Sequence, residues 1–465
     1  MIETRLFQVL NTLTENRIQR IDFVLTAQEQ KESPHFKLWC HLKDILLYNS
    51  KKTSKQQSYI IVFGDACYDD QKMRLLTSQL FKKVENIIAS QEIEKSTYNK
   101  NKVLLRFYRE QGLQNQYATL SKKTALFFKS DKIKDNAQLD AEIEFESIKF
   151  EHLLEQKRNQ DLNLQKILDL TDLAYFAKKL KYICSAIAHQ SVYDIKYNFG
   201  FIHEIENYLN SESIEKHPAV SLYYSCYKML QDPDNKTKFE RYTNDIRKYQ
   251  SYFNNEEIRN IYLLGINICI KQLNKGNKEY GRIGLNMYIE GLAKKYLLVN
   301  NKITRYTYRN IAMIAIRVDD FEWAENFTEE YKGFLRASDK KSAYHFNKAL
   351  INYNLQKLDE ALDNILEVDF NDHLINLAAK TLQGKIYFEL EQVDLLQSHL
   401  DSMEMYIIRK KVLGYYKENY RNIISYMRKL IRLNPYDNTK KKKLLTKVNA
   451  EKVLTEKSWL SGQLS

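Results

Sequence analysis

Proline and glycine are scarce in this chain, four and twelve among 465 residues. Strand-rich folds draw their tight turns from both, so a sandwich or barrel is excluded and helices joined by short turns are expected. Cysteine is scarce as well. The five present (Cys40, Cys67, Cys184, Cys226, Cys269) show no paired spacing and mostly sit among apolar helical neighbours. An odd, scattered set excludes a disulfide framework and reads as reduced thiols, hence a cytoplasmic compartment. Long apolar runs are missing too: the longest uncharged apolar window, 261–270, falls far short of the roughly 20 residues a membrane span needs. The start, MIETRLFQVLNTLTENR, places acid and polar residues where a secretory leader has a basic end and an apolar core. A cytoplasmic, non-transmembrane chain is expected.

Chemical signatures are equally sparse. No GxxxxGK[ST] or GxGxxG phosphate cradle, no HExxH and no repeated CxxC occurs. The nine histidines are dispersed; only His35, Cys40 and His41 lie close together, beside Trp39. His41 is one residue from Cys40, so on a helix the two point to different faces. His189 follows Cys184 by five residues, off any common helical face, with no Asp or Asn placed as an orienter. The acid pairs Asp69-Asp70, Asp319-Asp320 and Asp359-Glu360 all stand at expected helix starts. There they cap free N–H groups and favour the positive end of the helix dipole. These absences argue against an enzyme, a cofactor and a metal. Catalysis would require titratable groups converging from separate helices.

What is abundant is helical. Hydrophobic residues make up 44% of the chain, enough to fold, so wholesale disorder is excluded. The 33 tyrosines suit many narrow helix–helix seams, where a ring is buried and its hydroxyl stays wet. Met73, Leu76, Leu80, Val84 and Ile87 recur at helical spacing and predict a helix over 70–88. Further helices are expected over about 97–110, 113–129, 137–157, 161–190, 199–209, 217–231, 236–250, 255–273 and 277–296, the first two parted by Gly112. The β-branched run 59–63 lacks a partner strand and is read as a buried helix end. Four regions follow: an N-terminal helical region 1–160, middle hairpins 161–300, repeats 301–408 and basic capping helices 409–465. The fold class is all-α, an α-solenoid of about ten stacked antiparallel helix pairs.

The repeats are clearest in 306–369. TYRNIAMIAIRVDDFEWAENFTEEYKGFL and AYHFNKALINYNLQKLDEALDNILEVD each open a second helix with a small residue after an acidic turn. Those residues, Ala324 and Ala361, are 37 apart, close to the period of stacked helical pairs. A third pair spans 377–408, with Gly384 and Tyr387 in a small-then-aromatic spacing expected of tight pairing. The units 304–338, 342–375 and 377–408 resemble the tetratricopeptide repeat (TPR). Ala312, Ala324 and Tyr331, then Ala349, Leu358, Ala361 and Ile365, match its small and large packing slots. The family's glycine-bearing turn is replaced by acidic residues, and its closing proline is absent from all three units. Over nearly its whole length the chain also resembles a bacterial family of similar length without known activity. The shared runs are YDDQKMRLLTSQL, NLQKILDLTDLAYFAKKLKYIC and TYRNIAMIAIRVDDFEWAENF.

The repeat resemblance implies a TPR-like right-handed superhelix whose first helices line a concave groove. On that side would stand Arg309, Asn310, Met313, Arg317, Phe346, Asn347, Leu350, Tyr353, Asn354, Lys385 and Phe388. Some members of that family clamp a peptide's terminal carboxylate with Lys, Arg and Asn at such slots. Arg309 and Asn347 fit that clamp; Met313, Ala378 and Leu382 do not. A mixed cationic and aromatic groove suits an acidic or extended peptide. Charge supplies a second candidate surface. Fifteen Lys and Arg against four acids between Arg409 and Ser465 give that span +11 of the net +13. Arg421, Arg428 and Arg432 fall near one helical face, and Lys440, Lys441, Lys442 and Lys443 follow. Such a patch can dock nucleic acid or an anionic surface. The expected function is a non-enzymatic protein-interaction scaffold with a protein or peptide partner. The alternatives are nucleic-acid or anionic-surface association through the basic end, and an enzyme of unrecognised class.

Overall fold

The computed structural model describes residues 4–48, 54–64, 67–156, 162–191, 195–211, 216–369, 372–409, 414–434 and 436–465. Among them no strand forms; an isolated bridge joins Val299 and Lys302. The chain divides into two compact units, Met1–Asp131 with Asp140–Thr171, and Lys132–Leu139 with Asp172–Ser465.

The first unit starts with α1 (Arg5–Leu10), α2 (Glu15–Gln28), α3 (Pro34–Tyr48), α4 (Lys55–Phe63) and α5 (Asp70–Lys95). One core of Leu6, Leu10, Ile21, Trp39, Leu42, Leu80 and Val84 joins them. The β-branched run at 59–63 ends α4, which Ser54 and Gln57 start with a reciprocal capping box. Asp69 caps α5 by accepting from the backbone N–H of Lys72. Then come α6 (Thr97–Glu110) and α7 (Gln114–Ser130), parted by Gly112, with α8 (Asn136–Leu154) and the start of α9 (Leu164–Gln190) beyond. His35 bonds Gln79 and His41 bonds Ser58.

The second unit is a solenoid of stacked antiparallel pairs. The rest of α9 and α10 (Ile202–Ser211) precede five pairs: α11 (Pro218–Gln231) with α12 (Lys236–Tyr249), α13 (Asn255–Asn274) with α14 (Lys278–Ala293), α15 (Arg305–Arg317) with α16 (Phe321–Tyr331), α17 (Ala337–Asn354) with α18 (Leu358–Leu366), and α19 (His373–Glu389) with α20 (Val393–Arg409). The chain ends with α21 (Gly414–Ile431), α22 (Asn438–Ala450) and α23 (Lys457–Leu464). A continuous core runs from α9 into α19, and a second joins α19 and α20 to the terminal helices. Within the expected basic capping helices 409–465, Lys410, Lys411 and Pro435 and the side chain of Tyr416 lie outside the described residues.

The repeat lives in the turns. Within four successive pairs a single residue takes left-handed φ: Gly276 at 97°, Asp319 at 59°, Gln356 at 61° and Glu391 at 58°. The next residue's N–H donates five residues back each time: Asn277 to Gln272, Asp320 to Ala315, Lys357 to Asn352 and Gln392 to Tyr387, at 2.9 to 3.0 Å. This bond satisfies carbonyls left over at a helix end. Only the first of these turns keeps glycine, the one residue type at ease there. Ala312, Ala324, Ala349 and Ala361 are fully buried beside these turns. Asp320 does not cap its helix through its side chain; it pairs with Arg282 at 2.6 Å.

Two expectations shift. Buried tyrosines find protein acceptors instead of water: Tyr223 donates to Glu257, Tyr242 to the Ile261 carbonyl and Tyr308 to the Thr328 carbonyl, at 2.6, 2.5 and 2.6 Å. Close approach falls instead at Gly281 and Gly284, where an added Cβ would meet Val318 Cγ1 at 2.6 Å and Ile314 Cδ1 at 2.7 Å. At Gly384 the nearest atom, Met427 Sδ, stands 3.4 Å away. No described helix is long and apolar enough to cross a membrane.

Gln356 is exposed, and its side chain makes no hydrogen bond among the described residues. Gln356→Gly therefore relieves left-handed strain and should stabilise the fold by about 0.5–1 kcal/mol in urea titration. A second expectation concerns acid. His399 is buried and bonds the Lys380 carbonyl at 2.8 Å; burial holds its pKa below the ordinary value. The unfolded chain then takes a proton near pH 6.5 that the folded chain refuses, so this stability is present at neutral pH and lost below about 6.5. The denaturation midpoint should fall between pH 7 and 5, and less steeply in His399→Gln.

Candidate functional site

The first helices of three successive pairs, α15, α17 and α19, pack on one another, and α21 follows α19. Helical spacing then decides what they present. On α15, residues 306, 309, 313, 316 and 317 share a stripe; on α17, 346, 350, 353 and 354; on α19, 375, 378, 381, 382 and 385. Together with Tyr420 of α21 and the segment Thr455-Glu456, these residues line a cavity of about 450 Å³. Met313, Leu350, Ala378 and Leu382 give it an apolar lining, with Tyr306, Phe346, Tyr353 and Tyr420 around them.

The cations of this cavity differ in how they are satisfied. Lys385 pairs with Glu456 at 2.8 Å and lies over the rings of Tyr353, at 4.7 Å, and Trp459, at 5.6 Å. Arg317 donates to the Asn274 side chain and, at 3.4 Å, to the Leu273 carbonyl, both neutral acceptors. Arg309 lies over Phe346, 5.3 Å from the ring centroid, and forms no ion pair among the described residues. Its Nε is buried without an acceptor. Burial therefore depresses the pKa of both arginines, and at Arg309 only attraction from Tyr420 and Glu456 opposes this.

Hydrogen bonds and ion pairs behind the lining hold the walls. Glu389 accepts from the Tyr353 hydroxyl and, at 2.7 Å, from Trp459 Nε1. Tyr306 donates to Asp372 at 2.7 Å; Arg305 pairs with Asp339 and Asp372 at 2.9 and 3.5 Å. Phe388 meets Trp459 edge to face.

Of the residues expected in the groove, Arg309, Arg317, Tyr353, Asn354 and Lys385 line the cavity, while Asn310 and Asn347 do not. Asn347 is fully buried in the seam between α15 and α17, donating to the Tyr308 carbonyl at 3.2 Å. Asn310 engages the Tyr288 hydroxyl. Asn354 turns its amide back onto the Leu350 carbonyl at 2.8 Å. Sequence reasoning missed Thr455, Glu456, Trp459 and Tyr420, whose sequence distance from α15 leaves no local signal.

The basic patch is partly neutralised within the chain. Arg428 pairs with Asp401 and Glu404 at 2.6 and 2.7 Å, and Lys440 with Asp437 at 3.1 Å. Arg421 on α21, Arg432 just past it, and Lys441, Lys442 and Lys443 on α22 have no ion pair among the described residues. Cys184 and His189 are engaged apart, Cys184 with the Tyr223 carbonyl and His189 with Tyr197.

A half-buried cation with no ion pair among the described residues opposes folding, so Arg309→Met should stabilise the fold by about 1 kcal/mol in urea titration. Sulfate should stabilise the wild type more than Arg309→Met in the same titration. Comparison with protein-family models, with curated proteins and with solved structures gives no match to this chain.

Proposed function

We propose that the second unit is a non-enzymatic interaction scaffold whose first-helix groove holds an extended, acidic polypeptide segment. The observation carrying this reading is Arg309, a guanidinium drawn into an aromatic cavity with no ion pair among the described residues. A ligand carboxylate would replace the missing acceptor through charge-assisted bonds, in surroundings dry enough to strengthen them. Arg317 offers a second donor further along the same stripe, and the aromatic side chains offer faces to a peptide backbone. Apolar residues between the cations suit a partner that alternates acid with small or apolar side chains.

The groove also resembles the ligand face of tetratricopeptide proteins, in that first helices form it. The terminal-carboxylate clamp of some of those proteins fits less well, because Asn347 is committed to the seam between helices. Acidic side chains within a segment are therefore the better match than a free chain end.

The unpaired lysines of α22 support a second reading, docking of nucleic acid through the basic end. Fluorescence polarisation separates the two. A dye-labelled peptide of six glutamates should bind the full chain, a peptide of six glutamines should not, and Arg309→Gln should weaken binding by about tenfold or more. Tight binding of DNA or RNA that collapses on modest salt increase and ignores Arg309→Gln, with no peptide binding, would overturn the scaffold reading.

A further inference from the structure

The cavity is not lined by the repeats alone. Thr455 and Glu456, just before α23, form part of its wall. Glu456 puts its carboxylate on Lys385 at 2.8 Å, and that carboxylate also attracts Arg309. Resting on the groove reading above, we propose that Glu456 is a built-in competitor: it occupies the Lys385 end of the groove until an acidic segment of the partner replaces it. One partner carboxylate then meets Arg309 and a second takes Lys385.

Three features set Glu456 apart from an ordinary surface ion pair. Its backbone sits at φ 54°, in the left-handed region that strains a residue with a side chain. It is the residue before α23, yet its side chain accepts no capping bond there, so the carboxylate is directed to Lys385 instead. And α23 does not depend on it for anchorage. Leu460 and Leu464 are buried in the terminal core, Trp459 Nε1 is bonded to Glu389, and the Trp459 ring packs on Phe388. Release of Lys385 therefore needs only a rotation of the Glu456 side chain, with the helix staying in place.

Lys385 is well suited to such an exchange. Its side chain is only 12% exposed and lies between two aromatic faces, so its ammonium stays in position when the carboxylate leaves. Glu456 is 37% exposed and can turn to water. The exchange trades one carboxylate for another, so the groove is selective against neutral segments. A neutral ligand would leave Glu456 in place and Arg309 unsatisfied.

The test uses the full chain and the six-glutamate peptide. Removing the competitor in Glu456→Gln should tighten binding by roughly fivefold, the factor that an ion pair of this exposure withholds. Glu456→Gly removes the carboxylate and the left-handed strain together and should tighten binding similarly, which guards against an effect of misfolding. Lys385→Gln should weaken binding and abolish the gain from Glu456→Gln. Equal or weaker binding by both Glu456 variants, with Arg309-dependent binding intact, would overturn the competitor and leave the groove standing. Absence of peptide binding to wild type and both variants would overturn groove and competitor together.

Discussion

The bond that closes four of the five helix pairs governs the groove end of the second unit. An N–H donates five residues back across one left-handed residue, and this recurs at Gly276, Asp319, Gln356 and Glu391. Because the same turn ends α13, α15, α17 and α19, these successive pairs leave it with the same geometry. Their small residues then fall at matching depths, as the fully buried Ala324 and Ala361 do. First helices stack on first helices, and stripes that are separate in sequence become one surface. The groove is a by-product of turn chemistry repeated with little variation.

Against that regular frame, the treatment of charge sets one cavity apart. Buried and half-buried charges elsewhere meet their partners. Glu257, nearly inaccessible, receives Asn136, Lys181 and Tyr223 at 2.7, 3.2 and 2.6 Å. Glu146 is held by Lys149 and Lys166, both at 2.7 Å, and Arg305 and Arg428 each meet two acids. Arg309, half-buried with its Nε shielded from solvent, meets no acid among the described residues and breaks this habit. Leaving a desolvated cation unmatched lowers stability, and natural chains accept such losses mainly where something else binds.

Much of this frame was legible beforehand. Periodicity located the helices to within a few residues because apolar stripes and their breaks are local properties, as at Met73 to Ile87 and at Gly112. The groove stripe of α15 was legible for the same reason. Asn347 was not, since one residue past Phe346 turns a side chain by about 100° and carries it from the cavity into the seam. Gln356 and Glu391 gave no hint of a left-handed backbone, because neither residue type favours it; the turn is imposed by the packing of the helices on either side. Tyr420, Glu456 and Trp459 reach the cavity only through the return of the chain's end, a long-range fact that no local pattern encodes.

That return has an optical consequence. The chain carries three tryptophans. Trp39 is sealed in the core of the first unit, and Trp323 lies on a second helix, stacked flat on Phe327. Trp459 alone borders the groove, its indole N–H tied to Glu389 and the Lys385 ammonium over its ring. Indole emission shifts with the field of nearby charges, so any redistribution of charge around Lys385 is written into the light of a single residue. The protein carries its own gauge of what its groove contains.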